Sequence, residues 1–310
     1  MSSAPPVRLG TRASQLARWQ AQWVAARLKE LGVRVELVPI ATSGDRQQAG
    51  PIRALGGQGV FTKEIQRALL EQRIDLAVHS LKDLPTLQPD GLCLAAVPQR
   101  ASVSDVLVCR QHASLDDLDE GAVLGTGSLR RRSQLLHVRP DLHCKDVRGN
   151  VETRLRKLDA GQCDALVLAE AGLQRLGVAE RITQVLPASI MLPAIGQGAL
   201  ALETRSDDQA VRAVVSSGLD HPPTHAAVLA ERAMLAELEG GCLAPIAAWG
   251  RLEDQRLTLS GRVLSPDGRA MIETTLVGDA NAADQLGRRV AEALIAQGAA
   301  ELIRSARETT

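Results

Sequence analysis

Twice in this chain a short apolar run turns, through glycine and hydroxyl residues, into a helical stripe with arginine at or near its start. Gly10-Thr11-Arg12-Ala13-Ser14 leads out of Val7 to Leu9 into a stripe from Ser14 to Leu31. Gly125-Thr126-Gly127-Ser128 leads out of Ala122 to Gly125 into a stripe from Ser128 to Val138, with Arg130, Arg131 and Arg132 in its first turn. A strand that turns directly into a helix is the opening of a βαβ unit, and ligands of such folds sit at the carboxyl edge of the sheet. Helix N-termini there present unpaired N–H groups and a positive dipole end, so each turn is a candidate anion site.

The runs between and after these turns extend the same rhythm. In the first region the pattern predicts strands over Val33 to Ile40, Ile74 to His79 and Leu92 to Val97, and a helix over Thr62 to Gln72. The first helix is expected to bury Leu16, Trp19, Trp23, Leu28 and Leu31 on one face and to stop at Gly32. Thr42 to Gly59 is a long glycine-bearing connection, a pattern that reads as a mobile lid. From Asp105 the rhythm restarts, with strands Asp105 to Cys109, Ala122 to Gly125, Leu142 to Val147 and Asp164 to Ala169, and helices Ser128 to Val138 and Val151 to Ala160. Ala199 to Glu203 reads as a strand that crosses back to complete the first sheet.

A third unit follows, with a helix Thr224 to Glu239, strands around Ile246, Leu257 to Leu264 and Ala270 to Val277, and a closing helix Ala282 to Gln297. Ser265-Pro266-Asp267-Gly268 marks the last two strands as a hairpin. The expected fold class is therefore α/β: two doubly wound, largely parallel domains resembling solute-binding proteins around a cleft, plus a small α+β C-terminal domain. The expected boundaries are 1–99 with 199–217, 100–198, and 218–310.

Composition narrows the function. With 45% hydrophobic and 23% charged residues and a mean hydropathy of -0.03, the chain can bury a sizeable core. One Phe, three Trp and no Tyr leave that core to Leu, Val, Ile and Ala, and argue against stacking of single-stranded bases. A formal net charge of +0 argues against general phosphate attraction, so any anion site is local. There are 31 Arg and 5 Lys among the 36 basic residues. This excess has two readings, genomic base composition or a demand for bidentate grips on carboxylates. No leader-like segment opens the chain and no run is long enough to span a membrane, so a cytoplasmic protein is expected. Cys93, Cys109, Cys144, Cys163 and Cys242 form no CxxC and suggest neither disulfides nor zinc, and no metal site is expected.

Three groups could carry chemistry. Arg130 to Arg132 oppose the dipole at a helix start, which asks for a compensating anion. Arg148, Arg154 and Arg175 follow at the same sheet edge, and with Arg12 they suit an organic polyanion with several carboxylates, although each alone also reads as a surface residue. Lys82 and Asp83, in His79-Ser80-Leu81-Lys82-Asp83-Leu84-Pro85, are either a surface pair or a carboxylate that stabilises a developing cation and moves protons. Cys242 in Leu238-Glu239-Gly240-Gly241-Cys242 is either a buried thiol in a tight turn or a nucleophile or attachment point.

These motifs, together with Arg148-Gly149-Asn150, Ala169-Glu170-Ala171-Gly172-Leu173, Gly196-Gln197-Gly198 and Glu231-Arg232, resemble the porphobilinogen deaminase (hydroxymethylbilane synthase) family from Arg8 to the last helix. The resemblance implies a covalent dipyrromethane cofactor held by Cys242 through a thioether. It implies head-to-tail condensation of four porphobilinogen molecules with loss of ammonia through an azafulvenium, then release of hydroxymethylbilane by water. Asp83 would be the catalytic carboxylate and would also face the cofactor with Lys82, Thr126, Ser128, Arg130 and Arg131. Arg12, Ser14, Phe61, Arg148, Arg154, Arg175 and Gln197 would serve incoming or growing pyrroles. The family expectation is a monomer whose product passes to uroporphyrinogen-III synthase. Where the family often has lysines in the lid, this chain reads Ile52-Arg53-Ala54-Leu55-Gly56-Gly57-Gln58-Gly59. The alternative is a two-domain anion-binding protein of the solute-binding type, against which stand the absent leader and the extra cysteine-bearing domain.

Overall fold

The computed structural model describes residues 5–42, 62–239 and 244–309. Within it the chain forms two units, one from residues 1–100 and 199–225, the other from 101–198 and 226–310. Phe61, Cys242 and nearly all of the expected lid lie outside the described residues.

In the first unit, strands β1 (Val7–Thr11), β2 (Val35–Pro39), β3 (Leu76–Ser80) and β4 (Leu92–Ala96) join β10 (Leu200–Arg205) in the order β2-β1-β3-β10-β4. β1 pairs parallel with β2 and β3, while β10 pairs antiparallel with β3 and β4. The return strand is thus where the sequence puts it. The sheet is mixed rather than largely parallel, because a strand arriving from outside the βαβ series enters from the opposite end.

Side chains alternate across β3. Leu76 and Val78 pack with helix α1 (Gln15–Glu30) and α6 (Gln209–Leu219), whereas Ala77 packs with α2 (Lys63–Leu70). Burial of Leu76 and of Val78 contributes about 1.5–3 kcal/mol each. The expected face of α1 is corrected by the structure. Its buried residues are Ala17, Gln20, Ala21, Val24, Ala25 and Leu28, while Leu31 is 50% exposed and both tryptophans are only half-buried. Small side chains let the helix axis approach the sheet, and the bulky ones flank that contact.

The second unit repeats the plan. β5 (Asp105–Cys109), β6 (Val123–Gly125), β7 (His143–Lys145), β8 (Ala165–Ala169) and β9 (Gln184–Val185) lie in the order β7-β6-β8-β5-β9. β6 pairs parallel with β7 and β8, and β5 runs antiparallel to β8 and β9. Helix α3 (Leu129–Val138) covers the face of Leu107, Leu124 and Val167, while α4 (Val151–Asp159) and α5 (Glu170–Arg175) cover the face of Val106, Leu166 and Leu168.

The same unit holds an antiparallel sheet of β11 (Ile246–Glu253), β12 (Arg256–Leu264) and β13 (Met271–Asp279). The 265–268 turn joins β12 to β13 as the sequence indicates. Helices α7 (Pro222–Glu237), α8 (Ala283–Ala296) and α9 (Ala299–Thr309) build its core with Ile246, Leu257, Leu259 and Val263. α9 lies beyond the expected closing helix, set off from α8 by Gly298 at a φ of 101°.

Candidate functional site

The two matching strand-to-helix turns owe their glycines to crowding. A Cβ on Gly10 would stand 2.3 Å from Ile74 Cδ1, and one on Gly125 would meet Leu166, Val147 and Cys163 at 2.7, 2.8 and 3.0 Å. The strand ends can therefore lie close to their neighbours only without side chains.

In the first unit, β1 ends at Thr11 and delivers Arg12 and Ser14 to the start of α1. β3 ends at Ser80, and a 3-10 turn, Leu81–Asp83, presents Asp83 beside them. Arg12, Ser14, Gln20, Thr62, His79, Ser80 and Asp83 are among the described residues lining one pocket. Ser14 Oγ caps α1 by accepting from the Ala17 amide at 3.4 Å, and Gln20 Nε2 donates to Ser80 Oγ at 2.9 Å. His79 and Glu203 are buried, with His79 Nε2 3.2 Å from the Glu203 carboxylate, whose other oxygen accepts from Gln66 Nε2 at 3.0 Å. The structure thus brings Arg12, Ser14 and Asp83 together; half-buried Lys82 is not among the described residues lining that pocket.

In the second unit, Thr126 and Ser128 follow β6, and Arg130 and Arg131 occupy the first turn of α3. Ser128 makes no side-chain cap, in contrast to Ser14 in the matching turn; its own amide donates to Thr126 Oγ1 at 3.2 Å. The anion that compensates these arginines belongs to the chain itself. Asp105, fully buried at the start of β5, accepts from Arg130 Nη2 at 2.7 Å and from Arg131 Nη2 at 2.7 Å and Nε at 3.0 Å. Arg130 Nη1 donates to the Leu192 carbonyl at 2.7 Å, and Arg131 Nη1 to Val167 at 3.0 Å. Asp105 is thus the compensating anion for Arg130 and Arg131, so these two need no ligand to be stable in this turn, whereas Arg132 is exposed. Burial pulls the Arg130 guanidinium down, against the pull of Asp105.

Gln197 Nε2 joins the cluster, donating to Asp105 at 3.0 Å and to the Val103 carbonyl at 2.7 Å. Arg175 Nη2 donates to the Gly198 carbonyl at 2.7 Å, and burial pushes its guanidinium down to about 10. Arg148 pairs with Asp146 at 2.8 Å, and Arg154 Nε donates to the Gly149 carbonyl at 2.8 Å. Asp105 opposes Ala169 across the sheet, so β5 begins at the edge where β8 ends. Sequence reasoning missed Asp105 and Glu203, though an acid set in an otherwise apolar strand, Asp105-Val106-Leu107-Val108 or Leu200-Ala201-Leu202-Glu203, is a readable sign of a buried partner.

Two family models match, "Porphobilinogen deaminase, dipyromethane cofactor binding domain" over residues 7–213 and "Porphobilinogen deaminase, C-terminal domain" over 225–296. This chain belongs to the porphobilinogen deaminase family. Among its relatives, the porphobilinogen deaminase of Pelotomaculum thermopropionicum is 48% identical over 304 residues, covering 97% of this chain and 97% of the relative. That of Acidithiobacillus ferrooxidans is 48% identical over 303 residues, covering 97% and 98%. Among solved structures, the methionine-binding protein MetQ is similar at a TM-score of 0.45 with 14% identity, covering 68% of this chain and 89% of that one. A nutrient-binding protein from Burkholderia cenocepacia bound to methionine gives 0.44 and 14%, covering 67% and 89%.

The donor set suits the group that the first family model names. Guanidiniums beside hydroxyls at an uncapped helix start match the carboxylates of a pyrrole bearing acid side chains. Among the described residues no cluster of His, Cys, Asp and Glu could hold a metal, and no helix is long and apolar enough to cross a membrane.

Proposed function

We propose that this chain, as a porphobilinogen deaminase, is a transferase of tetrapyrrole synthesis that condenses four porphobilinogen molecules head to tail and releases hydroxymethylbilane. The observation that carries the reading is the convergence of Asp83, Arg12 and Ser14 on one pocket in a chain of this family. The bound dipyrromethane supplies a covalently held pyrrole with a free α-carbon, so that elongation starts from a primer. Cys242 is the proposed attachment point, a reading that rests on the Gly240-Gly241-Cys242 motif.

The chain's own residues divide the work. Asp83 accepts a pyrrole N–H and balances the positive charge that develops on porphobilinogen as its aminomethyl nitrogen leaves as ammonia. It is also the proposed base for the ring proton lost when aromaticity returns. Arg12 and Ser14 position the incoming carboxylates. Lys82, Thr126, Ser128, Arg130 and Arg131 hold the cofactor, and Phe61, Arg148, Arg154, Arg175 and Gln197 take the growing chain. We also propose the three-domain division 1–99 with 199–217, 100–198 and 218–310, a cytoplasmic monomer, and onward passage of product to uroporphyrinogen-III synthase. The anion-binding alternative is not favoured by the family membership.

Intact mass and peptide mapping of the purified chain beside Cys242→Ser test the reading. A dipyrrole excess that maps to Cys242 and vanishes in the variant is expected; a chain that stays unmodified after incubation with porphobilinogen overturns it. Asp83→Asn should keep the pocket's shape yet lower kcat by roughly 10²–10³.

A further inference from the structure

We propose that Asp105 is the positioning residue of the arginine cluster: it holds Arg130, Arg131 and Gln197 in one orientation before an anionic ligand arrives, and it limits the cluster to one net positive charge. The inference rests on the reading above in that Arg130 and Arg131 are taken to meet cofactor carboxylates.

The geometry is that of a hub. One oxygen of Asp105, Oδ1, accepts from Arg131 Nη2 and Nε at 2.7 and 3.0 Å and from Gln197 Nε2 at 3.0 Å, and Oδ2 accepts from Arg130 Nη2 at 2.7 Å. The three donors come from α3 and from the 196–198 turn, segments that are distant in sequence. Without the carboxylate, two adjacent guanidiniums, each under 10% exposed, would repel each other at the positive end of a helix dipole. With it, two positive charges and one negative leave one, enough to neutralise a single ligand carboxylate. Arg131 spends its Nε and Nη2 edge on Asp105, while Arg130 gives it Nη2 alone and keeps its Nε edge off the carboxylate. By charge, the cluster is therefore matched to one ligand carboxylate.

Asp105→Asn removes the charge and keeps the shape. The full-length variant should fold, by circular dichroism, but the fraction carrying the dipyrrole mass should fall ~10-fold or more, the loss typical when a group that orients a ligand-binding side chain is removed. Its two uncompensated guanidiniums should also recruit an external anion. Sodium acetate, compared with sodium chloride at equal ionic strength, is expected to raise the Tm of the variant by more than that of the wild type. A variant that loads the cofactor as the wild type does, or whose Tm ignores acetate, overturns the proposal. If Asp105→Asn does not fold, Asp105→Asn with Arg131→Gln restores the single net charge and should fold again; failure to do so overturns the proposal equally. Absence of the dipyrrole from the wild type would sink the family-based reading; the acetate comparison is then made between two unloaded proteins, and the variant should still respond more strongly because its cluster carries two uncompensated charges.

Discussion

Arg8 and Asp75 hold each other through main chain and side chain at once. The Asp75 carboxylate accepts from the Arg8 amide at 3.0 Å, from Nε at 2.9 Å and from Nη2 at 2.7 Å, and the Asp75 amide returns a bond to the Arg8 carbonyl at 2.8 Å. Arg205 adds a third element at 3.2 Å. The latch ties together the ends of β1, β3 and β10 that lie away from Arg12 and Asp83, and so sets the register that aligns those two at the other end.

This latch predicts an acid-labile share of stability. Burial pushes the Asp75 carboxyl up, but the hydrogen bonds from Arg8 and Arg205 overrule it and hold it at about 2 against an ordinary 3.8. A depressed folded value means the contribution is complete above the unfolded pKa and is lost as pH falls from about 4 toward 2. Because the Arg8 side chain is 38% exposed, solvent screening reduces it to about 1–2 kcal/mol. Urea unfolding of wild type and Asp75→Asn should differ by that amount at neutral pH and converge near the lower limit of this window.

Gly198 carries a second prediction. Its φ is 83°, and a Cβ there would stand 2.5 Å from the Ser102 carbonyl oxygen and 2.6 Å from that of Ala101, both main-chain atoms that cannot rotate away. Its own carbonyl accepts from Arg175, and its neighbour Gln197 reaches Asp105. Gly198→Ala is expected to cost at least about 2 kcal/mol by denaturant unfolding. It should also raise KM for porphobilinogen, because two of the proposed binding residues hang on this turn.

Cys109 offers a chemical readout. Burial raises its thiol to about 11. At pH 8 its thiolate fraction is then on the order of 10² below that of an unperturbed cysteine, so iodoacetamide should label it correspondingly slowly in the folded chain and freely in urea. Peptide mapping after timed alkylation checks this, and equal labelling rates in both states would contradict it.

Strand and helix order was legible because the period of each apolar run is a local property. The return of β10 was legible too, since Ala199 to Glu203 is an apolar run that needs a sheet to join. The packed face of α1 was not. Hydrophobicity alone favours Trp19 and Trp23, yet close approach to the sheet favours Ala17, Ala21 and Ala25, and that choice belongs to the partner surface. In the site, Arg130 and Arg131 were readable as charges that oppose a dipole. Their counter-ion was not, because Asp105 lies 25 and 26 residues away along the chain and becomes adjacent only when β5 enters the sheet.

A last prediction concerns the support of that cluster. Gln134 sits one turn beyond Arg130 on α3, and its Oε1 accepts from Arg262 Nη1 at 2.8 Å and from the Leu192 amide at 2.9 Å, while its Nε2 donates to the Leu192 carbonyl at 3.1 Å. Leu192 is also the carbonyl that receives Arg130 Nη1. Arg262, on β12, is buried and paired with Glu273 at 2.7 Å. Gln134→Leu leaves a buried amide and a buried guanidinium short of an acceptor, which should cost about 2–4 kcal/mol. Arg262→Met leaves Gln134 Oε1 with the Leu192 amide and should cost less. The double variant should be more stable than the sum of the two losses by about 1 kcal/mol, because the second change removes the donor that the first had orphaned. Losses that add to within about 0.5 kcal/mol would mean that Arg262 and α3 are independent. The C-terminal sheet would then not brace the arginine-bearing helix through Gln134.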